Sequence, residues 1–140
     1  MKQFQTYAKK KLDEFADIMV EYRVNAMLPC KTIMEKAVIG IIGCGAIAKD
    51  VHLGNAFSNP RLRVKWCADL LESNLEYVKE RYAYENLTTN YMDVLDDPEV
   101  QGVLILTVHN VREKIIREAA ERGKHIFVEK PMSTTVRESY

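Results

Sequence analysis

The period of hydrophobic and polar positions changes once along the chain, near residue 37. Before it, Phe4, Tyr7, Phe15, Ile18, Met19 and Tyr22 recur at helical spacings with Lys9, Lys10, Lys11, Asp13 and Glu14 between them, which predicts one amphipathic helix over 3–27 that stops before Pro29. Its apolar side is expected to pack on the body of the protein or on a partner, and acids among the lysines of its polar side argue against a membrane-surface helix. After the change, Val38, Ile39, Gly40, Ile41 and Ile42 form a short, nearly continuous apolar run, which is what a strand covered on both faces requires. Residues 46–58 then read as helix, 62–68 as strand, and 72–84 as helix with Leu75, Val78 and Tyr82 on one side. A short strand at Leu87 and Thr88, a short helix over 91–95, an apolar strand over 102–107, a helix over 111–122 capped by Gly123, and a strand over 125–128 complete the pattern.

Strands of four to seven residues thus alternate with helices, and that rhythm predicts βαβ units with right-handed crossovers. The expected class is α/β: a three-layer, doubly wound parallel sheet of about five strands with an extra N-terminal helix. Two regions are expected, a helical extension over 1–36 and a sheet domain over 37–140 that is cut short before its last helix–strand unit. The N-terminal helix is expected to cover the sheet face this leaves bare.

Composition narrows the function classes. Twenty Lys and Arg balance twenty Asp and Glu in 140 residues, so nothing in the totals supports nucleic-acid binding, and 47% hydrophobic residues exclude a disordered chain. The length suits one domain. Cys30, Cys44 and Cys67 are unevenly spaced with no Cys-x-x-Cys pair, so no zinc site or redox dithiol is expected, and sparse cysteines fit a reducing cytoplasm. No apolar run of about 18 residues occurs, which argues against membrane spanning. A cytoplasmic protein without metal, nucleic-acid or membrane partners is the expectation.

The sharpest local signal is Gly43-Cys44-Gly45-Ala46-Ile47-Ala48, a G-x-G-x-x-A pattern between a buried strand and a helix. Gly43 permits the tight turn, Gly45 lets a pyrophosphate approach the backbone, and Ala48 lets the helix lie close to the sheet. The N–H groups of the first helical turn, from Ala46 and Ile47 onward, then face phosphate. Asp69 closes the second strand. A carboxylate there accepts hydrogen bonds from both hydroxyls of an adenosine ribose and repels a 2′-phosphate, so NAD is favoured over NADP; the competing account is a solvated strand end or a helix cap. Thr107, His109 and Asn110 follow the third apolar strand and should lie near the nicotinamide half of the cofactor. Asn110 serves equally well as a helix cap, and His109 as an exposed loop residue. His52, in the second turn of the first crossover helix, either faces the cofactor or packs. Cys44 lacks a neighbour to activate it, and Cys30 and Cys67 read as small core residues.

Glu129-Lys130-Pro131 ends the last strand. The lysine ammonium can hydrogen-bond to a substrate hydroxyl or carbonyl oxygen and stabilise charge developing there. Glu129 can orient that ammonium or contact the nicotinamide ribose, and a cis Lys130–Pro131 bond is open to the turn. Composition alone makes the same residues a charged strand end.

Together, the glycine turn, Asp69 and Glu129-Lys130-Pro131 resemble the family of glucose–fructose oxidoreductase, inositol dehydrogenase and rhizopine-catabolism proteins, written Gfo/Idh/MocA. The resemblance covers about residues 38–136. VIGIIGCGAIAKDVHLGNAF is similar to the family's opening strand, phosphate turn and first helix, TTNYMDVLDDPEVQGVLILT to the segment leading into its fourth strand, and AAERGKHIFVEKPMSTT to its end-of-domain signature. The resemblance implies that Gly43, Gly45 and Ala48 belong to the cofactor turn, that Asp69 reads NAD, and that Glu129 and Lys130 are the active-site acid and lysine. It implies hydride transfer between a nicotinamide cofactor and a small polyol, a sugar or a related alcohol. Three departures stand against it. The family's Thr-Pro-Asn-x-x-His reads Thr107-Val108-His109-Asn110-Val111-Arg112 here, so cofactor contacts in this loop differ. The segment before Val38 is longer than the family's. The family's second domain, with its Asp-x-x-x-His pair, has no counterpart in the sequence. The chain is therefore expected to be the cofactor-binding portion of a dehydrogenase and inactive alone, with a homo-oligomer among its assemblies; the alternatives are a non-catalytic nucleotide-binding module or a subunit completed by a partner chain.

Overall fold

A computed structural model describes residues 2–26 and 36–130. The expected helix stop at Pro29, the placement of Cys30 and the Lys130–Pro131 bond lie outside the described residues. The elements run α1 (Lys2–Ala26), β1 (Ala37–Ile42), a π-helical turn (Ala48–His52) leading into α2 (Leu53–Ser58), β2 (Leu62–Ala68), α3 (Glu72–Arg81), β3 (Asn86–Thr88), α4 (Tyr91–Asp96), β4 (Gly102–Ile105), α5 (His109–Glu121) and β5 (His125–Val128). The strands form one parallel sheet in the order β3-β2-β1-β4-β5, so the chain winds outward from β1 in both directions. A right-handed crossover of each sense places its helix on the opposite face. Every residue of β1 is buried because it is the central strand and both its faces are covered.

The core is two layers split by the sheet. Ile39 and Ile41 point to the face covered by α1, α2 and α3, and share it with Leu12, Ala16, Leu53 and Val78. Val38 and Ile42 point to the other face, with Val94, Leu95, Ile115 and Ala119 of α4 and α5. Helix α1 thus lies over the sheet beside α2, as the amphipathic pattern predicts. Ala8, Leu12, Ala16 and Met19 are its buried stripe, spaced four, four and three apart. Gly102 makes its seat, because a Cβ there would meet Met19 Sδ at 2.8 Å and Phe15 Cζ at 3.0 Å. Asp13 and Asp17 fasten the helix to the turn before β2. Asp13 accepts from Asn59 Nδ2 at 2.8 Å, and Arg61 pairs with Asp17. Phe15 meets Phe127 of β5 edge-on, with ring centroids 5.9 Å apart.

Several details differ from expectation: α3 ends at Arg81 rather than at residue 84, and β4 at Ile105 rather than at residue 107. The segment over 46–58 is helical, but its middle is a π turn, which the apolar period does not reveal because a single widened turn barely disturbs it. Helix α5 begins at His109 with Val108 as its N-cap, so Asn110 lies inside the first turn and does not cap it.

Candidate functional site

The site is built at the carboxyl ends of β1, β2, β4 and β5. β1 ends at Ile42, and Gly43 turns the chain with φ of 95°, a conformation that L side chains rarely adopt. A Cβ on Gly43 would lie 2.9 Å from the Leu106 carbonyl carbon and the Thr107 nitrogen, so the turn is pressed against the end of β4. Cys44 is buried, and its N–H donates to Asp69 Oδ2 at 2.7 Å. The other carboxylate oxygen accepts from Leu71 N–H at 2.8 Å. Asp69 therefore ties the end of β2 to the glycine turn. Each carboxylate oxygen has a second lone pair, so these bonds leave acceptor capacity for a ligand. Gly45 differs from Gly43: nothing lies within 4 Å of where its Cβ would be. Ala46 is exposed beside it and Ala48 is buried against the sheet. Cys67 lies beneath, where the Cys44 thiol and burial push its own thiol up.

A cleft of about 470 Å³ runs along this edge. Gly43, Gly45 and Asp69 line one part of it, and Thr107, Val108 and Val111 another. Its walls are largely apolar, with Leu70 and Val108 among the exposed side chains at the rim. Asn74 also reaches the cleft and accepts from Lys49 Nζ at 2.6 Å. The Thr107 hydroxyl is buried with no hydrogen-bond partner among the described residues. His109 and Asn110, expected near the nicotinamide half, are exposed in the first turn of α5, and the wall next to Thr107 is made by Val108 and Val111.

A second group of residues meets at the end of β5. His52 is fully buried, and its Nε2 lies 2.5 Å from Glu129 Oε1. Glu129 Oε2 accepts the N–H of Lys130 at 3.1 Å. Arg112, also buried, donates Nη1 to the Glu129 carbonyl at 2.7 Å and Nη2 to the Thr107 carbonyl. Burial pulls the Arg112 guanidinium below its ordinary value, with Glu129 opposing the shift. Lys130 itself is exposed. Sequence reasoning singled out Glu129 and Lys130 as candidates and gave Arg112 no role beyond a departure from the family's loop. It left His52 between cofactor and packing; a lone imidazole on an otherwise apolar helix face was the available signal. On the α1 side, Tyr7 and Lys11 border a smaller concavity of about 150 Å³ with Phe127 and Lys130. Among the described residues no group of three His, Cys, Asp or Glu is placed to hold a metal, and no helix is long and apolar enough to cross a membrane.

A parallel sheet in this order, with a positive-φ glycine turn leaving its central strand and an acid ending the next, defines a Rossmann-type dinucleotide-binding fold. A family profile described as an oxidoreductase family with an NAD-binding Rossmann fold, GFO_IDH_MocA, matches residues 37–139. The chain belongs to that family. It is similar to the levoglucosan dehydrogenase of Pseudarthrobacter phenanthrenivorans, 34% identical over 115 residues that cover 76% of this chain and 29% of that protein. Among solved structures, scyllo-inositol dehydrogenase from Lactobacillus casei with bound NAD(H) and scyllo-inositol superposes with a TM-score of 0.68, 22% identical, over 74% of this chain and 31% of that one. A variant of KijD10, a 3-ketoreductase from Actinomadura kijaniata in complex with TDP-benzene and NADP, superposes with a TM-score of 0.69, 25% identical, over 75% and 32%. The chain spans about a third of the length of the proteins it matches.

Proposed function

We propose that this chain is the nicotinamide-dinucleotide-binding portion of an oxidoreductase that moves hydride between NAD(P) and a sugar, cyclitol or related alcohol, and that it prefers NAD. The observation that carries the reading is the pairing of Asp69 with the Cys44 N–H beside the open space at Gly45. A pyrophosphate fits where a side chain at position 45 would project, and the unpartnered Thr107 hydroxyl offers a buried polar contact farther along the cleft. In this reading Gly43, Gly45 and the N–H groups of Ala46, Ile47 and Ala48 hold the pyrophosphate, and Asp69 accepts the ribose hydroxyls. Thr107 faces the nicotinamide half, with His109 and Asn110 farther out. Bound nicotinamide supplies the hydride chemistry. The Lys130 ammonium donates to the reacting oxygen of the substrate and stabilises negative charge there, while Glu129 holds the strand end beneath it. The family's description and the ring polyols named for two of the matched proteins support the substrate class.

The choice of NAD rests on Asp69, since one matched structure holds NADP. A carboxylate at the ribose end repels a 2′-phosphate. Calorimetric titration of the chain with each dinucleotide tests this. NAD is expected to bind more tightly than NADP, and Asp69→Ala should weaken NAD binding and narrow the difference. A clear wild-type preference for NADP overturns the assignment.

A further inference from the structure

Glu129, the residue before the lysine, is gripped from both faces of the sheet. From the α2 side, the His52 imidazole holds its carboxylate, with the ring set edge-on against Phe127 at 5.5 Å between centroids. From the α5 side, the Arg112 fork takes its carbonyl and, with the other arm, the carbonyl of Thr107 at the end of β4. The carboxylate's second oxygen then receives the Lys130 amide. Side chain, carbonyl and following amide are thus all tied down, where the end of an edge strand would otherwise fray.

Two buried basic groups are a costly way to stabilise a fold, since well-packed apolar side chains of similar size usually serve as well. The cost is plain at His52, whose Nδ1 is buried with no hydrogen-bond partner among the described residues. The π turn that ends at His52 is a further departure from regular helix, of the kind often found beside functional sites. We propose that His52 and Arg112 are positioning residues for Lys130: they fix Glu129, and through it the direction in which the lysine leaves the sheet. The proposal rests on Lys130 being the substrate-facing lysine.

The test reads Lys130 directly in the full chain, without turnover. Lysines are reductively methylated with ¹³C-formaldehyde, and the Lys130 signal is assigned by its loss in Lys130→Arg. Glu129→Gln, nearly isosteric, and His52→Ala are each expected to move that signal toward the bulk of exposed lysines. His52→Gln, whose amide can donate from near the place of Nε2, should restore it. Arg112→Lys keeps the charge but loses the two-armed fork, and should also move it. Thermal melts of the same samples separate positioning from stability. A Lys130 signal unchanged in Glu129→Gln and in folded His52→Ala, with only the melting temperature lowered, overturns the proposal. NADH titration of the wild type keeps the two readings apart: absent binding with a signal that moves fails the cofactor assignment alone, and tight binding with a signal that stays fails the positioning alone.

Discussion

Gly43 and Gly45 stand two positions apart and tolerate change differently. At Gly43 both the backbone angle and the Leu106–Thr107 peptide exclude a side chain, so Gly43→Ala should cost about 2 kcal/mol of stability. At Gly45 a side chain has room in the protein but projects into the cleft. Gly45→Val should keep the circular dichroism spectrum and lower NAD affinity about tenfold or more. Unchanged affinity in a folded Gly45→Val protein would make the second glycine a matter of folding alone. The turn and Asp69 were legible in the sequence because their spacing within one βαβ unit sets their meaning. The pairing of His52 with Glu129 was not, since it joins residues 77 positions apart and depends on which way a π turn swings a side chain. Helix α5 starts at His109, two residues before the apolar pattern suggests, with Val108 as its N-cap, so His109 and Asn110 lie in its exposed first turn.

Among elements, β1 was read to within one residue because a continuous apolar run is what the middle of a doubly covered sheet demands, while β4 stops at Ile105, two residues short of its apolar run. The packing between elements was less legible. Asp97, in the turn between α4 and β4, accepts from Trp66 Nε1 at 2.7 Å and from the Glu99 N–H at 2.9 Å, and pairs with Lys65 Nζ at 2.7 Å. It thereby braces β2 against that turn, and nothing in the spacing of these residues announces it. Burial pushes the Asp97 carboxyl up, but the hydrogen bonds from Lys65, Trp66 and Glu99 outweigh it and hold it down at about 2. A carboxyl lowered in the folded state stabilises the fold above its ordinary value of 3.8 and loses that contribution as pH falls through about 2. Asp97→Asn should therefore lower stability at neutral pH by about 1–2 kcal/mol. In urea melts over a pH series, the gap to wild type should close on acidification between roughly pH 4 and 2. A gap that persisted unchanged down to pH 2 would remove the ionised carboxylate from the account.

At the scale of the whole molecule, the described residues make the floor and one end of a cleft whose rim carries Leu70 at 81% and Val108 at 69% exposure. Hydride transfer needs the substrate carbon held within bonding reach of the ring and a path for the hydroxyl proton. In the proposed reading, the exposed Lys130 at the end of β5 addresses a single side of such a substrate. This chain by itself should bind dinucleotide and show little or no turnover, followed as NADH absorbance with a panel of sugars, cyclitols and small hydroxy compounds. Strong turnover that disappears in Lys130→Ala would overturn this reading and point to a site completed by self-association or a partner chain. The seating of α1 on Gly102 and Phe127 bears on how the molecule assembles itself. β2, β3 and β5 each pair with the strand just before them in the chain and only the β1–β4 pairing spans a longer stretch, whereas Phe15 must wait for Phe127, at the far end of the sequence. Closing so long a loop is entropically expensive until the sheet exists to receive the helix. The helix should therefore be the last element to dock and the first to leave. In native-state hydrogen exchange, the amides of α1 around Leu12 and Ala16 should open at a lower free energy than those of β1, and equal protection of the two would mean that helix and sheet fold as a single unit.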